Sequence, residues 1–120
     1  PLSNERNPTK QELVTAWQPY VQEISDWQET VGKPIIFTEA GYRSTDFAAR
    51  EPWEYQEPRP INQDLQKTCY EAVIEAFQGK EWFKGIHFWI MSPRKDDGGK
   101  WNTDFTPYNK PAMNVPKFFN

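Results

Sequence analysis

The sequence contains one cysteine and one histidine. A lone thiol, Cys69, rules out an internal disulfide, and a lone imidazole, His87, leaves a zinc site without its paired ligands. No apolar run approaches the ~18–20 residues that a bilayer span requires. Neither does a basic start followed by a short apolar core and a small-residue cleavage site mark a secretory signal. Charge of one sign does not accumulate: 14 Lys and Arg mix with 17 Asp and Glu for a net charge of −3. The basic footprint of a nucleic-acid surface is therefore missing. Neither nucleic acid nor membrane is expected as a partner, and no metal or cofactor is called for.

Aromatic residues, by contrast, are plentiful: six Trp, five Tyr and eight Phe. They build cores. Tryptophan also offers a flat apolar face on which the C–H face of a sugar ring packs while the hydroxyls stay hydrogen-bonded at the edges.

The chain reads as helix, strand, helix, strand, helix. Thr9 and Glu12 form a Thr-x-x-Glu capping box. Leu13, Ala16, Trp17, Tyr20, Val21, Ile24, Trp27 and Val31 follow at helical spacing. Pro19 is expected to kink or restart that helix, and Gly32 with Pro34 to end it. Ile35 to Glu39 is a short apolar run ending on a carboxylate, the pattern of a buried parallel strand. Residues 40–61 read as a long loop. Asn62 caps a second helix with Leu65, Cys69, Ala72, Val73, Ala76 and Phe77 along its apolar stripe, ended by Gly79. Gly85 to Met91 reads as a second buried strand, Ser92 to Asn109 as a second long loop, and Pro111 opens a last short helix limited by Pro116.

This order is parallel α/β logic. Two parallel strands leave two open edges and need both faces covered. The chain is therefore expected to be a single partial domain over residues 1–120, two units of a barrel built from about eight. Functional groups of such barrels stand at the C-terminal ends of the strands. Glu39 ends the first strand, on the face shared by Ile35 and Phe37. A carboxylate there is costly unless it is paired or used. Two readings stand: a working carboxylate, or one that caps a helix or pairs with Arg43. Trp89, near the end of the second strand, shares a face with His87 and Met91; it lies beside Glu39 at the rim if that face is the barrel interior, or is a core residue. Asp96, Asp97, Asp104 and Lys95 lack the spacing and terminal Glu of a calcium loop and read as a solvated turn. His87 is expected to be a hydrogen-bonded core residue.

The stretch Gly32-Lys33-Pro34-Ile35-Ile36-Phe37-Thr38-Glu39-Ala40-Gly41-Tyr42-Arg43-Ser44 resembles the strand-seven motif of clan A glycoside hydrolases, most nearly family 113, the β-mannanase-like barrels. Glu51-Pro52-Trp53, Gly85 to Trp89 and Asp104 to Ala112 are similar to that family's later landmarks, and Pro1-Leu2 to the residues after strand six. The resemblance implies an α/β fold: the C-terminal fragment, about strands 7 and 8 with flanking helices, of a (β/α)8 TIM barrel. It implies retaining hydrolysis of β-glycosidic bonds in an oligo- or polysaccharide, with β-mannan the suggested substrate. Glu39 takes the role of nucleophile and Trp89 the floor of the −1 subsite. Trp53 and Trp101 follow as further substrate contacts, and Tyr42 and Arg43 as residues that orient Glu39.

The partner acid in that clan follows an Asn at the end of strand four. Asn4-Glu5 cannot fill that place. No strand precedes it, and strand four lies roughly 90 residues before strand seven, so Glu5 reads as a loop residue. The isolated chain is accordingly expected to be inactive. It needs the missing N-terminal barrel portion, or self-association, to cover its sheet. Two other readings remain: a non-catalytic remnant acting as a sugar-binding or oligomerising module, and an unrelated small α/β domain.

Overall fold

In the computed structural model, residues 1–115 are described; Pro116, expected to limit the last helix, lies outside them. Helix α1 spans Lys10–Val31. Its start is fixed reciprocally. The Thr9 N–H donates to the Glu12 carboxylate at 2.7 Å, and the Glu12 N–H to the Thr9 hydroxyl at 3.2 Å. Gly32 ends it at φ 63°, with its N–H on the Gln28 carbonyl at 2.8 Å. The helix does not restart at Pro19 but continues through it. Proline removes the donor that the Thr15 carbonyl would use. Both residues are exposed, so water can replace it.

Strand β1 spans Ile35–Ala40, helix α2 Gln63–Phe77, and strand β2 Phe83–Phe88; a 3-10 turn, Pro111–Asn114, follows. The strands pair in parallel, from Ile35 with Phe83 to Ala40 with Phe88, and the register shifts between Ile35 and Ile36 and again between Phe37 and Ala40. β2 thus starts and ends earlier than its apolar run suggests. Pairing with β1 fixes its span and leaves Trp89, Ile90 and Met91 exposed beyond its end.

One face of this sheet is covered by the helices. Phe37 meets Phe77 and Phe83 edge-on, each at 4.9 Å between ring centres, and stacks on Trp17 at 6.3 Å. All six residues of the expected α2 stripe are buried, joined by Gln66, Tyr70 and Ile74. Helix α1 is less enclosed: Leu13 and Val21 are buried, but Tyr20, Trp27 and Val31 are exposed, because no described element lies over them. Ile36, Thr38 and His87 are exposed on the strands. The expected core position of His87 is not met among the described residues, where the side chain is exposed.

The two long loops hold the rest of the interior. Tyr42 to Asp46, Ala48 and Ala49 are buried without belonging to a helix or to either strand. Several of their polar groups are paired, while the Thr45 hydroxyl is buried without a partner among the described residues. Asp46 binds Arg6 at 2.7 Å and Asn62 at 2.8 Å. Arg59 reaches Glu51 at 2.7 Å and Glu57 at 2.5 Å.

Candidate active site

At the C-terminal ends of β1 and β2 lies a cavity of about 860 Å3. Glu39, Trp53 and Trp89 all line it. Alternation carries Ile35 and Phe37 toward the helices, but it breaks where the register shifts, and Thr38 and Glu39 are both exposed. A bulge of this kind re-aims a side chain. The carboxylate therefore escapes the buried apolar face on which strict alternation would place it. Among the described residues the Glu39 carboxylate makes no hydrogen bond or ion pair, and Arg43 donates to loop carbonyls instead, so the pairing with Arg43 does not form.

Trp89 is held by its backbone, whose N–H donates to the Ala40 carbonyl at 2.7 Å, while the residue as a whole is 47% exposed. Trp53 is 65% exposed on the opposite loop. Trp101 does not join them. It is 76% exposed, carries the Lys100 ammonium 4.9 Å from its ring centre, and stands outside the cavity lining.

Tyr42 is part of the cavity wall, but its ring is packed edge-on against Tyr70. Burial pushes its phenol well above the usual range, so it stays neutral. Arg43 serves the loops. Its guanidinium donates to the Glu57 carbonyl at 3.0 Å and the Thr103 carbonyl at 3.3 Å. Neither residue bonds to Glu39.

Tyr55, Asp104 and Phe105 also line the cavity and were not singled out from the sequence as site residues. Tyr55 lies two residues beyond Trp53 on the same loop. Asp104 and Phe105 open the stretch that resembles a family landmark. That stretch is fastened by Lys110, 4% exposed, whose ammonium donates to the Asp104 carbonyl at 2.8 Å and the Ser44 hydroxyl at 3.0 Å. Desolvation pulls the Lys110 amine down to about 8, against the opposing pull of the Asp104 and Asp97 charges. The Asp-Asp-Gly-Gly turn is spent internally. The Asp97 carboxylate accepts from the Gly98 N–H at 2.7 Å, and that bond first, then Ser92, holds it below the usual range. Asp96 pairs with Arg94 at 3.3 Å. Glu5 sits exposed in the leading loop, its N–H on the Ser3 hydroxyl at 3.1 Å.

A carboxylate thus stands at a strand end, with indoles around an open cleft. The profile described as Glycoside Hydrolase Family 113 matches residues 5–110. The chain belongs to glycoside hydrolase family 113. Among solved structures of family 113, it is similar to the β-mannanase AaManA from Alicyclobacillus acidocaldarius in complex with ManMIm. The identity is 29% and the TM-score 0.74, over 85% of this chain and 33% of that one. A family 113 β-1,4-mannanase in a complex structure shares the fold, with TM-score 0.75 and 23% identity over 94% of this chain and 35% of that one. A further β-1,4-mannanase structure of family 113 gives TM-score 0.71 at 24% identity, over 85% and 34%. A comparison with curated proteins gives no match. The fold is thus α/β and similar to the TIM-barrel enzymes of family 113, and the chain spans about a third of the length of these solved relatives.

Proposed function

We propose that residues 1–120 form one partial domain, strands seven and eight with their flanking helices, of a retaining β-glycosidase barrel that cuts β-mannan. The carrying observation is that Glu39 and Trp89 line one cavity at the C-terminal ends of adjacent parallel strands. Barrel enzymes place their chemistry at that end.

In this reading the sugar of the −1 subsite lies over Trp89, with Trp53 flanking the cleft. The Glu39 carboxylate attacks the anomeric carbon, and the glycosidic oxygen leaves with a proton from a second carboxylic acid. That acid stands ~5–5.5 Å away and then takes a proton from the water that frees the sugar. By the family resemblance it ends strand four, outside these 120 residues. The isolated chain therefore lacks general acid catalysis and is inactive, and the other barrel units cover Ile36, Thr38 and His87.

The test compares the isolated chain with the barrel-length enzyme containing it, on mannan and p-nitrophenyl β-glycosides. Only the complete enzyme is expected to turn over, and Glu39→Gln to cut its kcat by at least about a thousandfold with the fold intact. Turnover by the chain alone, or an active Glu39→Gln enzyme, overturns the reading. The exposed Ile36 and its bare sheet side favour a second reading, a remnant that self-associates or binds sugar without cutting it. A monomeric chain in solution, with no affinity for mannotetraose, counts against that alternative.

A further inference from the structure

The cavity wall is mostly aromatic, and such walls satisfy only the apolar faces of a sugar. Hydroxyls at the ring edge need acceptors. Glu39 and Asp104 are the two residues with charged side chains on the described lining. Asp104 is exposed and forms no ion pair among the described residues. Among the described residues its carboxylate accepts one hydrogen bond, a long 3.5 Å contact from the Asn102 side-chain amide, which leaves most of its acceptor capacity open there.

Its main chain, in contrast, is held on several sides. The Asp104 carbonyl accepts from Lys110 Nζ at 2.8 Å, Ser44 Oγ at 3.4 Å and Gln66 Nε2 at 3.5 Å. The Asp104 N–H donates to the Asn102 side-chain oxygen at 2.9 Å. Gln66 and Lys110 are both buried, and Gln66 also binds the carbonyls of Tyr42 and Phe105, each at 2.9 Å. An open acceptor on a clamped backbone is pre-organised, so little ordering is lost when it binds.

We propose that Asp104 is a substrate-binding residue, whose two carboxylate oxygens accept hydrogen bonds from neighbouring hydroxyls of one sugar ring, and that Lys110 positions it. This rests on the reading of the cavity as a sugar site. Paired acceptors of this kind discriminate between sugars by the direction of their hydroxyls, which aromatic faces alone do poorly. Lys110 acts through the Asp104 carbonyl and touches no substrate.

The experiment is steady-state kinetics of the full-length enzyme on mannotetraose, with thermal melts of each variant. Asp104→Ala is expected to raise KM about tenfold or more with kcat within about threefold, because binding is lost equally from ground and transition states. Asp104→Asn, which keeps one acceptor, falls between the two. Lys110→Met raises KM in the same direction, and Lys110→Arg, which restores a donor, recovers part of it. An unchanged KM for Asp104→Ala in a folded enzyme overturns the proposal. So does a fall in melting temperature with unchanged KM, which marks a merely structural residue. Failure of the sugar-site reading shows elsewhere: the unsubstituted enzyme then neither binds nor cuts mannotetraose, and this inference falls with it.

Discussion

The N–H of Trp89 donates to the carbonyl of Ala40 at 2.7 Å, so the first residue beyond β2 hangs from the last residue of β1. Gly41 sits beside this bond. A Cβ there would run into the Trp89 carbonyl and lie 3.0 Å from the Trp89 Cβ. Both obstacles are close to main chain and cannot rotate away. Gly41→Ala is expected to displace Trp89 and to cost on the order of 1–3 kcal/mol. Urea unfolding measures the cost, and Trp fluorescence with mannotetraose in the barrel-length enzyme reports the displaced ring.

The indoles should not contribute alike. Trp89→Ala is expected to weaken mannotetraose binding to the barrel-length enzyme by roughly tenfold, the scale of one lost aromatic platform. Trp101→Ala is expected to leave it within about twofold, since Trp101 lies outside the cavity lining. Titration calorimetry separates them. Equal losses would show that the sugar path reaches Trp101.

Lys110 makes a pH prediction. Below pH about 8 the folded and unfolded chains both carry its proton, and the full cost of burying the charge is present. Above it the folded chain has released a proton that the unfolded chain keeps until about 10.5. Stability should therefore rise as pH climbs from about 8. The neutral amine still has two hydrogens for its two acceptors, Ser44 Oγ and the Asp104 carbonyl. Denaturant midpoints between pH ~7 and ~9.5, below the range of tyrosine titration, should show this slope. Lys110→Met should flatten it.

Phe77 joins the two helices to the sheet, stacking on Phe83 at 4.5 Å and meeting Trp17 and Phe37 edge-on. It is 1% exposed. Phe77→Ala is expected to cost about 3–5 kcal/mol, transfer and cavity terms together. Chemical unfolding of the chain measures it.

Where a signal is local, the sequence carries it well. The Thr9–Glu12 box, the Gly32 stop and the Asn62 cap need only neighbours a few residues away, and each appears where its residue types place it. Positions set by distant groups were less legible. The span of β2 depends on pairing with β1, and the aim of Glu39 on a register shift between the strands, which no periodicity within either strand reveals. His87 lies on an apolar run yet is exposed, because covering a sheet face takes chain that no pattern inside the strand can supply. Arg43 looked like a partner for Glu39 by proximity in sequence. Its guanidinium instead meets loop carbonyls 14 and 60 residues away. Trp53 and Trp101 carry the same side chain on two loops, and only the folding of those loops tells them apart.

Cys69 sits fully enclosed on the inner side of α2, and desolvation holds its thiol far above the ordinary range. Neither a disulfide reagent nor an alkylating agent can reach a thiolate there until α2 lifts from the sheet. Because the sequence has no other sulfhydryl, the rate at which iodoacetamide consumes the protein becomes a direct clock of how often this interior opens.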